Sequence, residues 1–453
     1  MSRKPSSAVS TTNACKLCRP LGACLAFKGI AGTVPYLHGS QGCATYMRRY
    51  VISHYNEPID IASSSLSEKH AVYGGGPNLK VGLTNVTEKY RPQVIGIATT
   101  CLTETIGDDV RMILREYGRD TQGSKGLPEL INVSTPSYDG THMEGFHGAV
   151  AAAVAQMAEG GPQTKTVNLL PGFVSSADYR HLQEIMDDFG LDSIMLPDLS
   201  ETMDGPALLE YEKLPRGGTP PAAIKAMGRS RATVEFGRTL AKTRTGGRIL
   251  TEEYNIRGLQ IGMPIGIEET DRFFALLTEL SGRGVPEKYR KIRGRLIDAY
   301  VDGHKYVFGK KAVIYGEEDL VVGMTAFLAE IGIRPVLCAS GGRSGLLAEA
   351  IRETTGQILR EQPRVFEDMD FFEISEMAEK LQPDLLVGHS KGYPLARKLN
   401  IPLIRIGFPI HDRVGGQRIL HLGYPGAQQL FDMVTNAIIE KKQDDSEVGY
   451  SYM

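Results

Sequence analysis

Short apolar runs recur along the chain, and each is followed by a glycine or polar turn and then by a segment with helical periodicity. Six of these runs predict strands: VIGIATT (94–100), TVNLLPG (166–172), KAVIYGE (311–317), RPVLCASGG (334–342), DLLVGHS (384–390) and PLIRIGFP (402–409). They are too uniformly apolar for half-exposed antiparallel strands and suit parallel strands that are covered on both faces. The amphipathic segments between them predict the covering helices.

This alternation of strand and helix predicts an α/β protein of doubly wound, Rossmann-like domains with mainly parallel sheets. Gly/Pro-rich or charged stretches at 159–165 and 214–227, and a basic helical segment at 286–305, interrupt the pattern. We therefore expect three domains, at 1–160, 161–300 and 301–453. In such folds ligands bind beyond the carboxyl ends of the strands.

Composition and charge exclude several classes of function. The chain has 453 residues, of which 42% are hydrophobic and 23% charged, and its formal net charge is −2. These values are typical of an ordinary folded interior. Because the sequence has neither a long run of like charge nor about 18 consecutive apolar residues, we expect no nucleic-acid partner, no membrane partner and a cytoplasmic location.

Five of the six cysteines lie within the first 101 residues, and three of them lie in glycine-containing or polar turns: CRPLGA (18–23), HGSQGC (38–43) and TTCLTETIGDD (99–109). Thiolates are the usual ligands of iron–sulfur clusters, and glycines such as Gly39 and Gly42 let backbone approach a bulky inorganic group. Two alternatives stay open. A buried cysteine is often just a small hydrophobe, and the CxxC pair Cys15 and Cys18 could bind zinc if a second pair joined it.

The chain resembles the β-type subunit of nitrogenase component 1 over nearly its whole length. The resemblance rests on CRPLGA, PYLHGSQGC, IATTCLTETIGDD, TPSY, LIRIGFPIHDR and LGYPGA, and on separations of 25 and 58 residues between successive cysteines. It implies the nitrogenase component 1 fold, with Cys18, Cys43 and Cys101 holding one half of an [8Fe-7S] P-cluster shared with a homologous α-type subunit. Ser137 would be a redox-dependent ligand of the oxidised cluster, or else a serine that caps the turn after Pro136.

The resemblance also implies partners. The α-type subunit would hold the iron–sulfur active-site cofactor, so that this chain carries no catalytic residue, and the complex would be an α2β2 heterotetramer. An ATP-dependent iron protein with a [4Fe-4S] cluster would deliver electrons. Tyr73 falls where the family presents an aromatic side chain to that protein. Glu104, Asp108 and Asp109 could add acidic contacts, or could belong to the ordinary solvated surface.

Within this family we prefer one branch, the nitrogenase-like methylthio-alkane reductases, which cleave C–S bonds of small thioethers to release a thiol and a hydrocarbon. Segment 59–76 resembles the alternative and nitrogenase-like branches at least as well as the molybdenum branch. The β subunit of a dinitrogen-reducing nitrogenase is one alternative. A non-catalytic scaffold for cofactor assembly is another, although scaffold chains commonly lack some of the four ligand positions that are filled here. Cys15, Cys24 and Cys338 match no family ligand.

Overall fold

The strands of the chain form three separate sheets. The computed structural model describes residues 14–122, 126–210 and 212–448, and within them every pairing between strands is parallel. The predicted α/β class with parallel sheets is confirmed. Each of the three predicted domain ranges contains one sheet. The boundaries themselves stay a prediction, and residue 300 lies inside a helix.

The first sheet has the strand order β2-β1-β3-β4. Its unit comprises, in chain order, α1 (Arg19–Lys28), β1 (Thr33–His38), α2 (Gln41–Tyr55), β2 (Ala62–Ser63), α3 (His70–Tyr73), α4 (Gly76–Tyr90), β3 (Val94–Thr99), α5 (Cys101–Ile106), α6 (Val110–Asp120), β4 (Glu129–Val133) and α7 (His142–Met157). The central strands β1 and β3 are buried along their whole length, as their apolar sequences require.

The second sheet has the order β6-β5-β7-β8. Its elements are β5 (Val167–Leu170), α8 (Ser176–Asp188), β6 (Ser193–Met195), α9 (Pro221–Ala226), β7 (Ala232–Phe236), α10 (Gly246–Tyr254), β8 (Arg257–Ile261) and α11 (Gly266–Ser281). The predicted basic helix follows as α12 (Glu287–Val307).

The third sheet has the order β11-β10-β9-β12-β13. Its elements are β9 (Lys311–Gly316), α13 (Glu318–Glu330), β10 (Arg334–Ser340), α14 (Leu347–Thr355), β11 (Arg364–Phe366), α15 (Phe371–Leu381), β12 (Leu385–Gly388), α16 (Tyr393–Leu399), β13 (Leu403–Arg405) and α17 (Gly423–Asp444). All six predicted apolar runs therefore form strands. No helix in the described part of the chain is long and apolar enough to cross a membrane.

Two glycines let α1 and α7 cross in close contact. A Cβ on Gly22 would lie 1.6 Å from the carbonyl oxygen of His142, and one on Gly145 would lie 1.8 Å from that of Arg19. Neither position tolerates a side chain, because both obstacles are backbone atoms. This crossing matters for the site described below, since Cys18 directly precedes α1 and Ser137 lies shortly before α7.

Candidate metal centre

Three of the four predicted ligands follow adjacent strands of the first sheet. Cys43 comes after β1, Cys101 after β3 and Ser137 after β4, and these strands are neighbours in the sheet. The carboxyl ends of parallel strands share one edge, so the three side chains are gathered there. Cys18 reaches the same edge from the N-terminus of α1, which it precedes directly. All four residues are half-buried.

Hydrogen bonds link the ligand candidates to one another. The backbone N–H of Ser137 donates to Cys101 Sγ at 3.2 Å, and the Ser137 hydroxyl bonds to the Cys18 thiol. The same hydroxyl oxygen accepts the first N–H of α1, from Arg19, at 3.2 Å. Ser40 donates its hydroxyl to Cys43 Sγ at 3.4 Å. Ser137 therefore links the start of α1 to Cys101.

The three thiols lie close enough together for the charge of one to affect the ionisation of another. Burial raises the pKa of Cys18, the bond from Ser137 lowers it, and the charges of Cys101 and Cys43 raise it again. A thiolate here is favoured by positive charge, and Lys391 supplies some of it. A metal cluster would supply much more, because a coordinating thiol loses its proton outright.

The two glycines predicted to approach a cluster differ in their surroundings. A Cβ on Gly39 would meet the Thr100 side chain at 2.2 Å, so close packing already requires glycine at that position. A Cβ on Gly42 would find only Ser40 Oγ, at 3.8 Å, and otherwise open space. Gly42 thus leaves room beside Cys43, and a role for Gly39 at a cluster stays a prediction.

Cys15 does not pair with Cys18 in a zinc site. It is buried in an apolar cluster with Tyr315, and its Sγ lies 3.8 Å from Nε2 of His389. Burial raises the pKa of this thiol to about 12. Within the described residues, no group of three or more His, Cys, Asp or Glu side chains could hold a single metal ion. The zinc alternative gains no support. Cys24 and Cys338 are buried.

The predicted docking residue Tyr73 is 83% exposed, at the end of the short helix α3. The loop after it is fixed by Asp108, whose two carboxylate oxygens accept the N–H of Gly75 at 3.1 and 3.0 Å. Asp108 also contacts Nε2 of His38 at 3.1 Å, and its side chain is only 8% exposed. Asp108 is therefore a support for the Tyr73 loop.

The other two predicted acidic contacts also have partners inside the chain. Oε1 of Glu104 accepts hydroxyl hydrogen bonds from Thr99 and Ser134, at 2.5 Å each, and so joins the ends of β3 and β4. Asp109 caps the N-terminus of α6 by accepting the N–H of Met112 at 2.9 Å. Contact of either carboxylate with another protein stays a prediction.

Sequence reasoning missed the residues that hold the segment carrying Cys18. Lys391, which follows β12, donates to the carbonyl oxygens of Ala14 and Lys16 at 2.8 and 3.3 Å. His142 accepts the N–H of Leu17 on Nδ1 at 3.4 Å and donates its own backbone N–H to the Leu17 carbonyl at 3.0 Å. The Thr141-x-x-Glu144 capping box marks the start of α7 in the sequence, but nothing there marks Lys391.

The buried carboxylate of Glu317 completes this support. Its Oε1 lies 3.1 Å from Nε2 of His142, and both side chains are 6% exposed. Since Nδ1 of His142 accepts a hydrogen bond, the ring proton sits on Nε2 and is donated to Glu317. Burial by itself raises the pKa of Glu317, but the hydrogen bond from His142 and its electrostatic attraction outweigh burial and hold that pKa below its usual value.

The donor set suits an iron–sulfur cluster. Three thiols and one hydroxyl converge at a sheet edge, and all three thiols already accept hydrogen bonds of the kind that stabilise cluster sulfur. The residues remain half-exposed on this chain, so a second set of ligands can approach them.

Comparison with known proteins decides the family. The profile described as nitrogenase component 1 type oxidoreductase matches residues 18–439. The chain belongs to this family. It is similar to the nitrogenase molybdenum-iron protein beta chain of Clostridium pasteurianum, with 34% identity over 433 residues that cover 95% of this chain and 93% of the relative. The corresponding Nostoc protein is 32% identical, with 97% and 86% covered.

Solved structures of the family agree with this fold. A chain in a structure titled "Nitrogenase Cp1 at pH 6.5" superposes with a TM-score of 0.95 at 33% identity, covering 100% of this chain and 98% of that one. A chain in "Nitrogenase Cp1 at pH 5" superposes at 0.68 with 15% identity, a likeness of fold alone. The predicted resemblance to nitrogenase component 1 β-type subunits is confirmed, and this chain is a nitrogenase-family oxidoreductase subunit similar to the beta chains.

Proposed function

We propose that this chain is the β-type electron-transfer subunit of a nitrogenase-like reductase, and that it shares an [8Fe-7S] P-cluster with a homologous α-type subunit. The observation that carries the proposal is the convergence of Cys18, Cys43, Cys101 and Ser137 on one sheet edge, where Ser137 contacts both Cys18 and Cys101. When bound, the cluster would store electrons and pass them on. The chain's own residues hold it, orient it and limit its contact with water.

Each candidate ligand has a distinct task in this proposal. Cys18, Cys43 and Cys101 would hold iron through thiolate sulfur. Ser137 is poised to add a hard oxygen ligand, because its hydroxyl already bonds to the Cys18 thiol and its backbone is bonded to Cys101. The α-type subunit would provide the remaining ligands and the iron–sulfur active-site cofactor, in an α2β2 assembly.

Electrons would come from an ATP-dependent iron protein with its own [4Fe-4S] cluster. We place its docking surface at Tyr73, since this exposed aromatic side chain is carried on a loop that Asp108 holds in place. Glu104 and Asp109 flank this region, and their acidity would complement a basic patch on the reductase.

For the substrate we propose a small methylthio-alkane. Two electrons and two protons would cleave its C–S bond to give methanethiol and a hydrocarbon. Support comes from segment 59–76, which resembles the alternative and nitrogenase-like branches at least as well as the molybdenum branch. Dinitrogen reduction is the second candidate, favoured by the 32–34% identity to molybdenum-iron protein beta chains.

The cluster assignment is tested on the complex of this chain with its α-type partner. The two subunits are co-purified in the absence of oxygen. Iron content and EPR spectra, before and after dye oxidation, are compared for the wild type, Cys101→Ala and Cys338→Ala. We expect Cys101→Ala to lose the oxidised-cluster signal, and the buried Cys338→Ala to keep it. A Cys101→Ala complex with normal iron and an unchanged signal would refute the ligand assignment. A [4Fe-4S] signature in the wild type would indicate an assembly scaffold instead.

The substrate is tested with the same complex, its iron protein, ATP and a reductant. Methanethiol released from a thioether and ammonia formed from dinitrogen are measured in parallel. Methanethiol without ammonia supports the methylthio-alkane proposal. Ammonia without methanethiol would replace it with the second candidate.

A further inference from the structure

A cavity of about 310 Å³ lies where loops of all three sheets meet. Its lining residues lie at or after the ends of β7, β9 and β10, at the start of α7, or in the N-terminal segment at Cys15 and Lys16; among the others are Thr239, Lys242, Glu318, Ser344 and His147. Its volume is at the lower end of the usual range for small-molecule sites, about 300–1,000 Å³. Carboxyl ends of parallel strands are where ligands of doubly wound folds bind. None of the four candidate cluster ligands lines it, so this is a separate site.

The imidazole of His147 points to a ligand. The residue is 7% exposed and lines the cavity, yet its ring makes no hydrogen bond among the described residues. Buried polar groups in folded proteins are nearly always hydrogen-bonded. An oxygen atom of a bound molecule would give this ring the partner that the chain itself does not provide.

Three basic side chains contribute to the lining of the cavity. These are Lys16, Lys242 and Arg343. Lys16 and Arg343 both contact the single carboxylate of Asp368, at 3.1 and 3.3 Å. Lys242 reaches only the carbonyl oxygen of Ser344, at 3.4 Å, among the described contacts. Lys16 and Arg343 therefore share one carboxylate, whereas Lys242 has no carboxylate partner among the described contacts, and its charge can attract an anion.

The four acidic side chains that line the cavity have hydrogen-bond partners within the chain. Glu144 accepts the backbone N–H of Thr141 at 2.8 Å, and Glu318 accepts that of Ser344 at 3.2 Å. Asp319 already accepts the N–H of Arg238 at 2.6 Å and the N–H and hydroxyl of Thr239 at 3.0 and 2.8 Å. Glu317 is paired with His142. Burial raises the pKa of Glu318 to about 7, so this carboxyl carries a proton for much of its time near neutral pH.

The N-terminus of α13 adds a favourable field. This helix has 13 residues and no side-chain cap, and its first residues, Glu318 and Asp319, line the cavity. The first N–H groups of a helix have no partner within it and carry partial positive charge, which stabilises anions.

We propose that this cavity binds a small organic anion through a carboxylate or phosphate group, with its oxygens near His147 and the start of α13 and its charge balanced by Lys242. A metal ion does not fit, because no three ligating side chains are grouped there within the described residues. The proposal does not depend on the cluster assignment, since it uses different residues.

The test is isothermal titration calorimetry of the co-purified complex with malonate and, separately, with glycerol 3-phosphate. The two arms distinguish a carboxylate ligand from a phosphate ligand. We expect saturable binding of at least one probe, one molecule per chain, with a concentration-dependent rise in the unfolding temperature.

Two variants assign the binding to this cavity. Lys242→Met should weaken it at least about tenfold, since it removes a charged partner at an exposed position that folding does not need. His147→Phe should weaken it similarly by removing the buried imidazole. Lys291→Met, an exposed lysine on α12, is the matched control and should bind as the wild type does. Absence of binding up to millimolar probe, or equal binding by Lys242→Met, would overturn the proposal.

Discussion

The pair of His142 and Glu317 should be essential for stability at neutral pH and much less so in acid. His142→Phe keeps the ring volume and the aromatic contacts with Phe173 and Phe408, but removes the donor from Glu317 and the acceptor from Leu17. Glu317 would then be a buried carboxylate without its partner. Breaking a buried pair in this way costs about 3–5 kcal/mol.

The sign of the pH dependence follows from Glu317. In the wild type its folded pKa is lowered, so its contribution to stability is present above its unfolded pKa of about 4.3 and is lost as pH falls through the folded value. In His142→Phe the pKa should instead be raised by burial. The carboxyl can then be protonated at little cost in acid, and the stability gap between the two proteins should narrow as pH falls from 8 toward 5.

Calorimetric unfolding of the purified complex at pH 8 and pH 5 measures this gap. The double variant His142→Phe/Glu317→Gln should recover about 2 kcal/mol of the loss, because a neutral amide costs less to bury unpaired than a charge does. Glu361→Gln, in an exposed pair with Arg334, is the control and should unfold at the wild-type temperature. The reasoning fails if the gap is the same at both pH values, or if the double variant is no more stable than His142→Phe.

Three further variants test the supports around the site. Gly22→Ala should prevent recovery of folded chain, because its Cβ would lie 1.6 Å from a backbone oxygen of α7, whereas Gly118→Ala has open space and should express normally; soluble yield measures both. Asp108→Asn should speed hydrogen exchange in the loop after α3 and raise the iron-protein concentration needed for half-maximal electron transfer several-fold; Asp109→Asn keeps an equally good helix cap and should leave that hydrogen exchange unchanged. Lys391→Met should shift the midpoint potential of the bound cluster to a more negative value, since a nearby cation stabilises the reduced state; an unchanged potential in an EPR-monitored titration would contradict this.

Much of the fold could be predicted because continuous apolar runs and helical periodicity are local signals. Strand β1 was not singled out by its pattern, since Pro35 interrupts it and His38 ends it. The structure accommodates Pro35 because β2 pairs only with Tyr36 and Leu37, so no neighbour on that side needs the missing N–H.

The candidate ligands could be named from the sequence because the spacing of the cysteines can be read along the chain. The residues that hold the ligand-bearing segments in place could not be predicted. Asp108 meets His38 across 70 residues, and Lys391 meets Ala14 across 377. Contacts of this kind depend on how separate units pack, and a single sequence carries no local signal for them. The acidic residues after Cys101 look like surface contacts in the sequence, whereas Asp108 is buried by the loop that it holds.

The link between Lys391 and the segment before Cys18 has a consequence for biosynthesis. Ala14 also forms an isolated bridge with Asp370, so the two partners of Ala14 come from the last fifth of the chain, whereas His142 holds Leu17. A ribosome releases Cys18 long before either partner of Ala14 exists. The full set of contacts around the segment that presents Cys18 therefore forms only when synthesis is nearly finished, and a chain truncated before residue 370 lacks the contacts of Ala14. If Cys18 holds a cluster as proposed, full-length chains would bind it better than chains that end before residue 370.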